Sequence, residues 1–207
     1  MSQPAWTIAE AEQHLAGSDP IMARLIQAYG PCRLFARDEA PFVQLIIAII
    51  NQLLSYQSAD AIEGRLRALV GEITPDNMLA TSDDALRAAG LSWSKIRYVN
   101  DISQRVKDGR MDFAALADMS DADIMHELTQ VRGIGPWTAQ MLLISGFKRP
   151  DVSAPGDVGL QRATRSLYAQ RLEQVHAPWQ PYRTVACWYL WQFVRNPDAY
   201  AAGANQA

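Results

Sequence analysis

Apolar residues recur three and four positions apart over most of the chain, and no stretch alternates long enough to suggest a strand. Thr7 and Glu10 form a capping-box pattern that opens a first short helix. Asp19-Pro20 opens a second, and Gly30 stops it. Pro41 opens a strongly apolar helix through Phe42, Leu45, Ile46, Ile49 and Ile50. The pattern breaks near residues 53–56 and resumes over 58–69, where Ala59, Ile62, Leu66 and Leu69 share a face. Thr74-Pro75 and Ser82 open two short helices, the second ending at Gly90. Further helices are predicted over 94–107, 112–117, 120–129, 136–146, 158–168 and 182–196. The runs at 46–50 and 141–144 would also suit a buried strand, but their flanks and period favour helix. The Ala/Gly-rich stretch 199–207 reads as a frayed tail. The predicted class is all-α.

Composition changes this picture little. The chain has 207 residues, 49% hydrophobic and 20% charged, enough for one large domain or two lobes of an ordinary soluble globule. No apolar run approaches the roughly 20 residues of a membrane span, and no signal pattern opens the chain, so a cytosolic location is expected. Cys32 and Cys187 belong to no CxxC or Cys/His cluster and read as two buried free thiols. His14, His126 and His176 lack ligand spacing and read as surface or capping residues.

Charge sharpens the reading. A net charge of −3 argues mildly against a nucleic-acid partner. Yet residues 131–168 carry Arg132, Lys148, Arg149, Arg162 and Arg165 against only Asp151 and Asp157, a local +3. The basic segment also holds the most specific motif, Val131-Arg132-Gly133-Ile134-Gly135-Pro136-Trp137-Thr138-Ala139. Here a Gly-Ile-Gly turn joins the 120–129 helix to a helix opened by Pro136, a helix-hairpin-helix pattern. Glycines permit unusual dihedrals and close approach, and a helix N-terminus with bare N–H groups suits an anion such as phosphate. Taken alone, such a turn is more often a tight connection. Further on, Ala154-Pro155-Gly156-Asp157 places a carboxylate at the start of the 158–168 helix, where a plain N-cap is the competing reading.

With these motifs in order, the chain resembles the helix-hairpin-helix DNA glycosylases, and in particular their alkylated-base branch, DNA-3-methyladenine glycosylase II. The resemblance spans about residues 41–196. It rests on Gln52-Leu53-Leu54-Ser55, on Gly90-Leu91-Ser92 with Lys95 and Tyr98, on the hairpin, on Pro155-Gly156-Asp157, and on Trp179 through Arg183 to Trp191. It implies a single catalytic unit over 1–207 with two helical lobes, about 41–130 and 1–40 plus 131–207, and an active site in the cleft between them. Some relatives carry an extra N-terminal α/β domain; this chain is expected to be a minimal form without one. The resemblance also implies a monovalent cation, Na+ or K+, on the main-chain carbonyls of Thr129, Val131 and Ile134, bridging to a DNA phosphate. Arg132, Gly133, Ile134, Gly135 and Thr138 would meet that phosphate.

By the same resemblance Asp157 is the catalytic carboxylate. Breaking an N-glycosidic bond builds positive charge on the sugar. A carboxylate about 4 Å away, at an effective dielectric near 20, is worth on the order of 4 kcal/mol. An alkylated purine is already cationic and leaves without a general acid. Such a base would stack on electron-rich rings, for which Trp137 and Trp191 are the candidates, with Met141 one turn beyond Trp137. Bifunctional members carry Lys where this chain has Trp137, which points to simple hydrolysis without strand cleavage. No four-Cys cluster follows the last helix, so an iron–sulfur cluster of the endonuclease III type is excluded and no cofactor is required. Leu53 occupies the position of the wedge that fills the gap left by a flipped base, with Gln52 and Ser55 beside it. Two positions depart from common patterns: Arg132 replaces a frequent Pro, and Val158 stands where a close relative has an aromatic residue.

The expected function is therefore a monofunctional glycosylase that excises alkylated purines of the 3-methyladenine and 7-methylguanine type in base excision repair. Its partner would be damaged double-stranded DNA. It would act as a monomer in the cytoplasm, associated with the nucleoid if the source is bacterial. Two competing readings stand beside it: a glycosylase for a deaminated or oxidised purine, and a non-catalytic module that binds distorted or abasic DNA.

Overall fold

A computed structural model of the protein describes residues 6–204. Fourteen α-helices and no strand occur among the described residues. They form two compact units: Glu39–Leu142, and the flanking chain up to Asp38 and from Leu143 onward.

The Glu39–Leu142 unit holds α3 (Pro41–Asn51), α4 (Tyr56–Val70), α5 (Pro75–Ala80), α6 (Asp83–Ala88), α7 (Trp93–Lys107), α8 (Phe113–Ala117), α9 (Asp121–Thr129) and α10 (Pro136–Met141). Its centre is α3, whose Leu45, Ile46, Ile49 and Ile50 are wholly buried. Each such side chain contributes about 1.5–3 kcal/mol. Helices α4, α7 and α10 pack on α3, and α9 packs on α10. The short helices start where a side chain can satisfy the first-turn N–H groups. Ser55, Thr74, Ser82, Ser92, Asp112 and Ser120 each accept one or more of those N–H groups.

The flanking unit holds α1 (Ile8–Ser18), α2 (Pro20–Tyr29), α11 (Val158–Tyr168), α12 (Leu172–Val175), α13 (Arg183–Arg195) and α14 (Pro197–Ala204). The capping box of Thr7 and Glu10 is formed as expected. Asp19, 8% exposed, caps α2 by accepting the N–H groups of Ile21 and Met22. It also accepts from the Tyr168 hydroxyl at 2.8 Å and the Trp179 indole at 2.7 Å. Four donors offset the cost of burying this carboxylate. Helix α11 packs on α13, and α2 packs on α1, α13 and α14.

Four expectations are corrected. Residues 197–204 are helical, not frayed: α14 packs on α2, with the Arg24 guanidinium 4.7 Å from the Tyr200 ring centre. The last three positions of the expected tail, 205–207, lie outside the described residues. Helix α4 begins at Tyr56, earlier than residue 58, because Ser55 caps it by accepting the Ser58 N–H. The helix expected over 136–146 is α-helical only to Met141 and continues as a π-helical turn, Leu142–Gly146. The division expected at 130/131 falls at Leu142 and Leu143, because α10 packs on α3 and α9. Helix α12 and the 3-10 turn Ala177–Trp179 are too short to register as a period in the sequence.

Cys32 and Cys187 are both buried free thiols, each pushed up to about 12 by burial. No helix among the described residues is long and apolar enough to cross a membrane.

Candidate functional site

Within the Glu39–Leu142 unit, the end of α3 and the hairpin between α9 and α10 are built as one piece. Leu53 is 104% exposed and adopts φ 59°, a left-handed conformation that costs a branched residue roughly 1–2 kcal/mol. Nothing apolar in the unit rewards that position. Its backbone is nonetheless fixed. The Lys95 ammonium on α7 donates to the carbonyls of Ile50 at 2.7 Å and Gln52 at 2.9 Å, closing the C-terminus of α3 just before Leu53. Burial holds the Lys95 ammonium below its ordinary pKa.

Gln52 continues the connection into the hairpin. Its side-chain amide donates to the Gly133 carbonyl at 2.9 Å and to the Thr138 hydroxyl at 2.8 Å. Gly133 has φ 95°, and a Cβ there would lie 2.3 Å from the Tyr98 ring. This glycine is required by packing. Gly135 differs: a Cβ there would meet nothing within 4 Å. The N–H groups of Gly133 and Gly135 find no acceptor among the described residues, and Arg132 beside them is exposed. Trp137 and Met141, one turn apart on α10, are both half-buried. The Val131 carbonyl accepts the Ile134 N–H at 3.0 Å, and the Thr129 hydroxyl folds back onto the carbonyls of Met125 and His126.

In the flanking unit, Asp157 and Trp191 come together. Asp157 is the N-cap of α11: its Oδ1 accepts the Leu160 N–H at 2.8 Å. The same oxygen accepts the Trp191 indole N–H at 3.3 Å. Both side chains are half-buried. The chain leading to Asp157 is anchored on α13. Arg183 donates from Nε to Asp151 Oδ1 at 2.7 Å and from its terminal nitrogen to Oδ2 at 2.8 Å. Burial raises the Asp151 carboxyl, but the bonds and charge of Arg183 outweigh it and hold the pKa below the usual value. Thr184, the next residue on α13, accepts the Val152 N–H at 3.1 Å and donates to the Arg149 carbonyl at 2.6 Å. Asp157 is thus held by a helix terminus, an indole and a doubly bonded ion pair upstream. The N-cap role leaves the second carboxylate oxygen, Oδ2, outside the Leu160 and Trp191 bonds, so an N-cap role and a chemical role are compatible.

Residues 46–176 match the model of the HhH-GPD superfamily base excision DNA repair protein. The chain belongs to this superfamily. It is 31% identical to DNA-3-methyladenine glycosylase 1 of Schizosaccharomyces pombe, covering 93% of this chain and 90% of that protein. Its fold matches the solved structure of the S. pombe 3-methyladenine DNA glycosylase Mag1 in complex with abasic DNA. That match has a TM-score of 0.80 and 30% identity over 90% of this chain and 97% of the other. A DNA-3-methyladenine glycosidase from Bacillus halodurans is 35% identical, with a TM-score of 0.63 over 85% of this chain and 89% of that one.

Against the family's pattern, three expected contacts are reassigned. The Thr138 side chain is 2% exposed and accepts from Gln52, so only its main chain can meet an anion at the helix start. The Ile134 N–H closes the turn on Val131 and is not available to a phosphate. The Gln52 amide is spent on the hairpin, which makes it a brace for the turn. Ser55 caps α4 through its hydroxyl while remaining exposed. Leu53 and Arg132 stand where an outside partner can reach them. Val158, at the start of α11, is 82% exposed. Lys95 and Tyr98 had a motif but no role in the sequence; the structure gives them the loop and the hairpin. The Asp151–Arg183 clamp had no local signal, because its partners lie 32 positions apart.

Proposed function

We propose that the chain is a monofunctional DNA glycosylase that hydrolyses the N-glycosidic bond of alkylated purines, of the 3-methyladenine and 7-methylguanine type, in duplex DNA. The observation that carries this reading is the Asp157 corner. One carboxylate oxygen is oriented by the Leu160 N–H and the Trp191 indole, in a chain that also carries an exposed wedge and a hairpin with unmet N–H groups. The names of the relatives, DNA-3-methyladenine glycosylase among them, support the choice of lesion.

In this reading Leu53 enters the duplex as the lesion leaves it, and Gly133, Gly135 and Arg132 hold the backbone. Trp137, Trp191 and Met141 receive the cationic base, whose charge favours aromatic faces. As the glycosidic bond breaks, its electron pair leaves with the base and the sugar becomes positive. Asp157 stabilises that charge; water adds to C1′ and gives up a proton to bulk water. Trp137 supplies no amine, so no Schiff base forms and the strand stays intact. The enzyme acts as a monomer without a redox or organic cofactor.

The hairpin carbonyls of Thr129, Val131 and Ile134 offer the all-oxygen donor set that a hard monovalent cation needs. The Val131 carbonyl shares its lone pairs with the Ile134 N–H. These residues would hold Na+ or K+ and lend its charge to phosphate binding.

The test is release of methylated bases from alkylated duplex by the purified protein and by Asp157→Asn. Release by the wild type that Asp157→Asn loses supports the reading. No release by either protein, with duplex binding retained, would favour the pure binding module. Release of only deaminated or oxidised purines from a lesion panel would move the specificity to that class.

A further inference from the structure

The chain's net charge of −3 hides where its cations are spent. Most of them have acceptors within the fold. Arg67 is paired with Glu39 and Glu63, Arg105 with Asp101, Lys107 with Asp76, Lys148 with Asp38 and Arg183 with Asp151. Arg65, Arg87 and Lys95 donate to main-chain carbonyls. Among the described residues, the guanidinium groups with no hydrogen-bond acceptor are those of Arg24, which lies over the Tyr200 ring, and of Arg33, Arg132, Arg162 and Arg165. Of these five, Arg132 falls on the hairpin and Arg162 and Arg165 fall on α11.

Arg162 and Arg165 share the outer face of α11. The inner face is buried through Leu160, Ala163 and Thr164. Val158, Arg162 and Arg165 are spaced by four and three residues, so they stand in one row on the opposite side. That row borders a groove of about 580 Å³ lined by Gly156, Val158, Gln161, Arg162, Arg165 and Ser166. Its wall is fixed, because the Gln161 amide donates to the Pro155 carbonyl and to Glu173, both at 2.9 Å. The groove begins next to Asp157. At about 1.5 Å of rise per residue, Arg162 lies roughly 7 Å and Arg165 roughly 12 Å beyond Asp157 along the helix axis. That run is comparable to one or two nucleotides of a strand leaving the reaction centre.

We infer that the groove of α11 is a second phosphate-binding strip, in which Arg162 and Arg165 each take one phosphate of the DNA strand that flanks the nucleotide at Asp157. The inference rests on the glycosylase reading for its choice of polyanion. Guanidinium forks bind phosphate through paired N–H groups without reading sequence. The strip therefore adds affinity and register, not lesion choice. It also bears on how an acidic protein grips DNA: two of its few unpaired cations stand in one row on α11.

The test is the salt dependence of binding to an undamaged duplex, measured by fluorescence anisotropy for wild type, Arg162→Gln/Arg165→Gln and the control Lys107→Gln. Each lost phosphate contact lowers the slope of log affinity against log salt by about 0.9. The double variant is expected to lose about 1.8 from the slope and to bind about sixtyfold more weakly near 0.1 M salt. Its thermal midpoint should match the wild type, since both side chains are exposed. Lys107→Gln, far along the sequence and paired with Asp76, should leave the slope as it is. An unchanged slope in the double variant, or an equal loss in Lys107→Gln, overturns the strip. If the slope falls as expected but no base is released by any protein, the strip stands and the glycosylase reading fails.

Discussion

At the end of α3 the main chain is pinned and the side chain is bare, whereas at the start of α11 the side chain itself is tied. Leu53 owes its place to Lys95 bonds on the carbonyls before it and accepts a left-handed φ. Asp157 owes its place to donors on its own carboxylate and sits at an ordinary N-cap. The contrast follows from what each would touch in the proposed reaction. A side chain that must enter a partner cannot be fixed by packing within its own fold, so only its backbone can be. A charge that must face a developing cation can be fixed directly, and donors already aimed at it need no rearrangement during the reaction.

The strongest way to break this comparison is Asp157→Asn. Asparagine is as good an N-cap as aspartate, so the fold should hold. Base release should fall by about a thousandfold, from the loss of roughly 4 kcal/mol of charge stabilisation. Single-turnover kinetics beside a thermal melt check this; a melt that drops with the rate would mean that Asp157 is chiefly structural. Next in size is the contrast of the two hairpin glycines. Gly133→Ala should destabilise by on the order of 3 kcal/mol, from the clash with Tyr98 and the positive φ. Gly135→Ala should leave stability within about 0.5 kcal/mol yet weaken duplex binding, since its space is open only until a backbone arrives. Equal melts for the two would remove the distinction.

Leu53→Gly sharpens the comparison from the other side. It relieves the left-handed strain, so stability should be unchanged or rise by up to about 1 kcal/mol. Base release from duplex should fall on the order of a hundredfold, because flipping costs a few kcal/mol, while release from single strands changes little. Matching losses on both substrates would show that Leu53 is not a wedge. The smallest effect concerns the Asp151–Arg183 clamp. The Asp151 carboxyl lies below its ordinary pKa in the folded protein. Its contribution is therefore complete above the unfolded value of about 3.9 and is lost as pH falls through the folded one. Arg183→Met should be less stable than wild type at neutral pH, and the gap should narrow in acid. A gap that stays constant down to pH 2 would mean that the pair does not carry the difference.

Most of the helices were legible because caps and periods are local. Thr7 with Glu10, Asp19-Pro20 and Pro41 mark starts that the structure keeps. The tail was misread because Ala and Gly are weakly apolar. What makes α14 helical is packing on α2 and the Arg24–Tyr200 contact, which span the length of the chain. In the site, the hairpin and Asp157 were legible from motifs. The bracing of the hairpin by Gln52, Lys95 and Tyr98 was not, because nothing local says that an amide 81 residues away will donate to Gly133. The same limit explains why Thr138 and Ile134 read as phosphate contacts: a motif gives position in the chain but not the direction of a hydroxyl or an N–H.

The four-donor cap at Asp19 has a consequence for how the protein is made. Its partners Tyr168 and Trp179 are 149 and 160 residues further on, and the Tyr29 hydroxyl donates to the Asn196 carbonyl. Helices α1 and α2 therefore emerge from the ribosome before the contiguous Glu39–Leu142 unit but are completed after it, once α11 and α13 have followed. Until then Met22 and Leu25, wholly buried at the end, have no core to enter. A nascent chain of this protein carries its own adhesive segment until α13 is made, and a stop codon anywhere before α13 would leave that segment exposed for good.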